Sequence, residues 1–268
     1  KRFSLSRDKV LKIWFETNDK LSSKNKFISF NILKNAITKV KILEDGKIEV
    51  VTVKDVAGRN TYRRSVALLM QKAYHNLFPM LDIEVQNSFG QGLYCKLRNG
   101  EKPTKELLDN LRDEMNKIVA EDWPIVKQSL HTDEAKELFG SFGMKDKERL
   151  FKYRLNSSVN VYSIGNYVDY YYGYMVPSTG YLKVFDLVLY DDGFVLMFPG
   201  DDSKTCAPFE PSEKFFQILK SSSEWGTQMG IPNIGALNDE IAKGHMQDII
   251  LVQEAFMERR IGEIAADI

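Results

Sequence analysis

Cysteine and histidine are scarce: the 268 residues hold two cysteines and three histidines. Cys95 and Cys206 are too few and too far apart for a disulfide framework, and neither CxxC nor HExxH spacing occurs. That usage points to a reducing, cytoplasmic location. His75, His131 and His245 fall in separate predicted elements, so no ligand set converges and no metal is expected. Charge of one sign is missing too. Lys plus Arg and Asp plus Glu are 37 each, which removes the broad attraction that nonspecific nucleic-acid or acidic-membrane binding uses. Neither nucleic acid nor membrane is therefore an expected partner. No apolar run reaches the length of about 18 residues that a membrane span needs, and no tripartite leader is present. GxSxG is absent, and neither cysteine has a recognisable histidine partner. GxxxxGKS/T is also absent: the nearest stretch, 140–145, ends Gly-Met-Lys, so ATP cannot be cradled by that route. Within these residues we expect no catalytic side chain and no cofactor.

What is present centres on residues 165–183, GNYVDYYYGYMVPSTGYLK. One acid, Asp169, lies among five tyrosines ahead of Pro177-Ser178-Thr179-Gly180. Tyr170, Tyr171 and Tyr172 are consecutive, so a strand would alternate their faces and turn at least one ring toward a cavity. The plain reading is a strand of amphipathic tyrosines ending in a turn. The functional reading is a ligand pocket around Asp169, with the Lys145-Asp146-Lys147 cluster supplying a cation for an anionic or hydroxylated ligand.

Elements of both kinds alternate along the chain. Val10, Ile13 and Trp14 at helical spacing behind Ser6 predict a helix over 8–17. Alternation at Ile28, Phe30 and Ile32 predicts a strand, and Val40 and Ile42 face Ile48 and Val50 across Asp45-Gly46 as a hairpin. A turn at Gly58-Arg59-Asn60 precedes a helix over 65–77 that ends at Pro79. A strand pair over 82–85 and 93–97 flanks Gly90-Gln91-Gly92, which reads as a loop rather than a dinucleotide fingerprint. Pro103-Thr104 opens a long helix with Leu107, Leu108, Leu111, Met115, Ile118 and Val119 in one stripe. Thr132 caps another, with Ala135, Leu138, Phe139 and Phe142 inward. A hairpin over 182–190 and 194–198 turns at Asp192-Gly193, and from Pro211 the pattern is helical with a break at 230–233. Without a βαβ rhythm the class is α+β. Ile250, Met257, Ile261, Ile264 and Ile268 keep helical spacing to the last residue, and the chain opens on Lys1, so the sequence reads as part of a longer polypeptide.

Several stretches resemble a known family. Tyr167-Val168-Asp169, Gly173 and Val176-Pro177-Ser178-Thr179-Gly180 resemble the VDxCxGxHVPxTG signature of the threonyl-tRNA synthetase editing domain. Residues 63–79 look like its opening helix, 89–97 like its GFYY strand, 103–122 like its long helix and 132–142 like the helix after it. Residues 1–59 resemble the ubiquitin-like β-grasp (TGS) domain, whose usual first strand would lie upstream of Lys1. The resemblance implies a TGS-like unit over 1–59, an editing-like domain over 60–208 and a helical tail over 209–268. The family's HxxxH falls on Arg64 and Leu68 and its CxxxH on Tyr171 and Met175, which implies a kept fold with deacylation lost. Asp169 stands where the family keeps an aspartate, and Lys147 matches its pocket lysine. The expected pocket is thus Asp169, Lys147, Tyr170, Tyr171, Tyr172, Met175 and Arg64.

The DYYYG and PSTG motifs, with Trp225, Met229-Gly230, Asn233-Ile234-Gly235 and Gly244-His245, also resemble the N-terminal region of bacterial nucleoside kinases of the uridine kinase type. That resemblance implies a noncatalytic sensing or substrate-positioning module. Its partners would be its own downstream kinase domain, to which ATP and Mg would bind, and a small nucleoside or amino-acid ligand. The alternatives are a free-standing aminoacyl-tRNA deacylase and a purely structural oligomerisation region.

Overall fold

The structure is a computed structural model that describes residues 53–79, 81–200 and 204–267, together with the backbones of three strands nearer the N-terminus. Those strands, β1 (Lys12–Thr17), β2 (Lys26–Ile28) and β3 (Gly46–Val51), form an antiparallel sheet in the order β2-β1-β3. The helix expected over 8–17 is overturned in its described part, since Lys12–Thr17 is the central strand. The segment Ile-Trp-Phe-Glu-Thr is β-branched and aromatic, and pairing on both edges outweighs the weak helical spacing of three apolar residues. The other arm of the expected hairpin, at Val40 and Ile42, and the strand positions Phe30 and Ile32 lie outside the described residues. Mixed helices and antiparallel sheets confirm the α+β class.

The described residues form two compact units, 1–128 with 160–213 and 129–159 with 214–268. In the first, α1 (Val56–Leu77) begins before Gly58-Arg59-Asn60, so the expected turn there is helical. Gly58 is buried within that helix, where tertiary burial outweighs glycine's poor helix propensity. Strands β4 (Ile83–Phe89), β5 (Gly92–Leu97), β9 (Asp186–Tyr190) and β10 (Gly193–Met197) make a sheet in the order β4-β5-β10-β9. The central β10 is buried at every residue, which explains its unbroken apolar run. Helix α2 (Lys105–Glu121) starts on Thr104, whose hydroxyl accepts from the Leu107 amide at 3.1 Å. Of its expected stripe, Leu108, Leu111, Met115 and Ile118 are buried while Leu107 and Val119 at its edges are half-buried, and α2 packs on α1. Arg112 fastens it to β9, with Nε donating to Asp186 at 2.8 Å and Nη2 to the Leu187 carbonyl at 2.9 Å. A third sheet follows the order β6 (Ile125–His131), β7 (Ser158–Ile164), β8 (Tyr167–Tyr170).

The second unit is helical. α3 (Thr132–Ser141) is capped by His131 rather than Thr132, and the His131 amide donates to Glu134 at 3.2 Å. The Lys145-Asp146-Lys147 cluster opens α4 (Lys145–Lys152), and Phe139 stacks on Phe151 with centroids 5.5 Å apart. The tail becomes α5 (Glu213–Gln228), α6 (Ile234–Ala242) and α7 (Met246–Ala266), broken at 230–233 as expected. Asp239 on α6 gathers the Tyr153 hydroxyl at 2.5 Å, Arg149 Nε at 3.0 Å and Lys152 Nζ at 3.3 Å, binding α6 to the α4 region. Among the described residues no helix is long and apolar enough to cross a membrane.

Candidate functional site

Strand β8 pairs antiparallel with β7, which sets Asp169 opposite Tyr162. Cross-strand partners share a face, and both are buried, at 4% and 3% exposure. Tyr167, two residues before Asp169, is on that face as well, whereas Val168 and Tyr170 are half-buried. One Asp169 oxygen accepts from the Tyr170 amide at 2.6 Å. Tyr171 follows at the end of the strand. Its hydroxyl is enclosed beside Asp169, Tyr167 and Cys95 and hydrogen-bonds to Asp169, although the residue as a whole is only half-buried. Burial first, and then the Asp169 charge, push that hydroxyl well above the ordinary tyrosine value. Cys95 has no solvent exposure, and its thiol is pushed up by the same burial.

The next residues are strapped to α1. Arg64 donates through Nε and Nη2 to the Tyr174 carbonyl at 3.3 and 3.2 Å, and the Tyr162 hydroxyl donates to the Gly173 carbonyl. Gly173 has φ +110, and a Cβ there would lie 2.8 Å from Arg64 Cζ, so both backbone and space demand glycine. The Ser65 hydroxyl accepts from the Val176 amide at 2.9 Å. Its single proton has two acceptors in reach, the Thr61 carbonyl at 2.8 Å and Met175 Sδ at 3.4 Å. The carbonyl is the stronger acceptor, which leaves the sulfur as a packing contact. Met175 is buried, Leu68 is wholly so, and Lys127 Nζ lies 5.4 Å from the Tyr174 ring centroid.

The turn at Pro177-Ser178-Thr179-Gly180 faces the end of α2. Asp122, at φ 53, accepts through Oδ1 from the Ser178 hydroxyl at 2.5 Å and the Gly180 amide at 3.0 Å. The Thr179 hydroxyl accepts from the Trp123 amide at 2.9 Å and donates to the Ile118 carbonyl at 2.8 Å. A Cβ on Gly180 would come within 2.3 Å of Asp122 Oδ1. This motif is a structural staple.

Of the expected pocket residues, Asp169 and Tyr171 meet directly, Arg64 and Met175 adjoin the same loop, and Tyr170 lies at its margin. Tyr172 is 77% exposed and turns away. Lys147 belongs to α4 of the second unit, with Nζ 5.5 Å from the Phe139 centroid and 3.5 Å from Met144 Sδ. Residues missed by sequence reasoning are Tyr162, Ser65, Cys95 and Asp122. For Asp122 a signal existed in Asp-Trp-Pro, since proline soon after a helix marks its C-terminus. The others have none, because their roles come from cross-strand register and interhelix packing. Among the described residues, no three His, Cys, Asp or Glu side chains gather as a metal site. A shallow cavity of about 10 Å³ opens elsewhere, between α1 and the end of β10, lined by Val53, Arg59, Tyr62, Arg63, Phe198 and Pro199.

Burial also raises Tyr62 and Tyr162 to about 12 each. Their folded values lie above the unfolded value of roughly 10, so this stabilisation is intact below pH about 10 and is lost as pH rises through about 12. Each group contributes on the order of 2–3 kcal/mol. Urea midpoints should therefore stay flat from neutrality to pH about 9.5 and fall steeply over the next two units. A midpoint flat beyond pH about 12 contradicts the burial of both hydroxyls.

Threonine–tRNA ligases match part of the chain. Threonine–tRNA ligase of Enterococcus faecalis is 38% identical over 148 residues, covering 55% of this chain and 23% of the ligase. That of Carboxydothermus hydrogenoformans is 34% identical over 154 residues, covering 55% and 24%. That of Streptococcus pyogenes is 36% identical over 151 residues, covering 55% and 23%. The chain spans about a quarter of the length of the curated relatives it matches. No protein-family model matches it. These relatives are synthetases, and the nucleoside-kinase context expected from the sequence gains no support from them.

Proposed function

We propose that this chain carries an editing-type module of threonyl-tRNA synthetase descent whose hydrolytic centre is filled with side chains, so that it recognises rather than hydrolyses. The observation that carries this reading is the enclosed Tyr171 hydroxyl on Asp169, with Leu68 and Met175 buried and Arg64 engaged by the Tyr174 carbonyl. These four side chains occupy the positions where the editing signature has His and Cys. Ester hydrolysis needs a base or an activated water. A tyrosine held well above its ordinary value stays protonated at neutral pH and cannot be that base, and Asp169, the carboxylate beside it, is 4% exposed.

The second reading is an aminoacyl-tRNA deacylase. It is favoured by the 34–38% identity to threonine–tRNA ligases and by the retained Asp169. Labelled mischarged aminoacyl-tRNA separates the two. Deacylation within about twofold of the buffer rate is expected, and an acceleration above about tenfold, toward the range of general acid–base catalysis, replaces the first reading by the second.

A finer proposal, that the module precedes a P-loop nucleoside kinase domain, rests only on the DYYYG and PSTG motifs and the tail. The open reading frame past Ile268 decides it. GxxxxGKS/T supports the kinase, and a synthetase catalytic domain overturns it.

A further inference from the structure

Away from the tyrosine-rich stretch, α1 presents two arginines one helical turn apart, Arg59 and Arg63. Both line the cleft formed with Val53, Tyr62, Phe198 and Pro199. The Arg63 guanidinium is half-buried, its Cζ 5.2 Å above the centre of the Phe198 ring. Arg59 is exposed and donates through Nη1 to the Lys54 carbonyl at 3.3 Å. Among the described residues no carboxylate pairs with either one. In a chain with as many acids as bases, like charges at this spacing are left facing each other, an arrangement that costs stability unless something anionic bridges it. Burial first, and then the neighbouring Arg59 charge, lower the Arg63 value.

We propose that Arg59 and Arg63 form a binding site for a phosphate ester, with Phe198 fixing the plane of the Arg63 fork. A planar guanidinium held over a ring keeps its N–H edge free, and that edge matches two phosphate oxygens. The Tyr62 hydroxyl is taken by the Val184 backbone, donating to its carbonyl at 3.1 Å and accepting from its amide at 2.9 Å, so the site offers cationic donors. A cleft of about 10 Å³ admits one oxygen-sized group and no base or sugar ring. The ligand is therefore a phosphate displayed on a larger molecule, either a free nucleotide or a nucleic-acid strand, lying across the surface. The site is independent of any chemistry at Asp169.

The test titrates the full chain at low salt with three probes: inorganic phosphate, adenosine 5′-monophosphate and a short single-stranded RNA. Each is repeated with Arg63→Gln, Arg63→Lys and Arg59→Gln. At least one phosphate ester should bind, and Arg63→Gln should weaken it about tenfold, as losing a charge-assisted fork does. Arg63→Lys should recover only part of this, because an ammonium cannot make the two parallel bonds. RNA binding with weak monophosphate binding assigns the source to a strand, and tight monophosphate binding assigns it to a free nucleotide. Arg59 is exposed, so Arg59→Gln keeps the test standing even where an Arg63 variant folds poorly. Failure of both esters to bind, or binding unchanged in both glutamine variants, overturns the site.

Discussion

Replacing Asp122 by alanine is expected to lower the unfolding free energy by about 3 kcal/mol, since it removes two hydrogen bonds to an ionised acceptor, each worth roughly 1.5–3 kcal/mol before discounting for partial exposure. The bonds lost are those from the Ser178 hydroxyl and the Gly180 amide. Alanine also inherits φ 53, a left-handed conformation that aspartate and asparagine tolerate better. Asp122→Asn keeps an acceptor and the backbone tolerance, so it should lose less than about 1 kcal/mol. Asp122→Gly separates the contributions by relieving the backbone while still losing both bonds. Urea midpoints for the three variants read this directly. Equal losses for asparagine and alanine would show that charge, and not the staple's geometry, sustains the turn.

The second large effect is expected at Tyr171. Tyr171→Ala empties the space beside Asp169, Tyr167 and Cys95; aromatic-to-alanine changes in a core cost about 3–5 kcal/mol, and the partial exposure of this residue brings the expected loss to about 2–3 kcal/mol. Tyr171→Phe keeps the ring and removes only the hydroxyl beside Asp169, so a loss of about 1–2 kcal/mol follows. The ordering of the two variants is the informative result. Were this ring the movable wall of an open pocket, alanine would be nearly neutral, and thermal unfolding of the pair would show no gap.

The α+β class, the buried stripe of α2, the break at 230–233 and the β9–β10 hairpin were all legible, because each rests on local spacing or turn chemistry. Lys12–Thr17 was not, since Val10, Ile13 and Trp14 fit helical spacing and only pairing on two edges decides for a strand. The α1 start was hidden by Gly58, whose use is its small size in a buried place. At the site, alternation was expected through Tyr170, Tyr171 and Tyr172, but the strand ends at Tyr170. It could not show that Tyr171, beyond the strand's end, folds its hydroxyl back to Asp169, nor that Pro177-Ser178-Thr179-Gly180 serves the end of α2. Lys147 was joined to Asp169 by its charge and by a motif match, and it lies on α4 in the second compact unit.

The staple at Asp122 has a kinetic side. Its partners are separated by 56 positions in the chain, so forming it closes a loop of that length before the reward of its hydrogen bonds arrives. Such contacts form late and, once formed, open only when much of the molecule opens. The amides of Trp123, Ile125, Thr179 and Gly180, all donors across this junction, should exchange with deuterium as one slow group. The exposed α7 amides should exchange orders of magnitude faster, by local fraying.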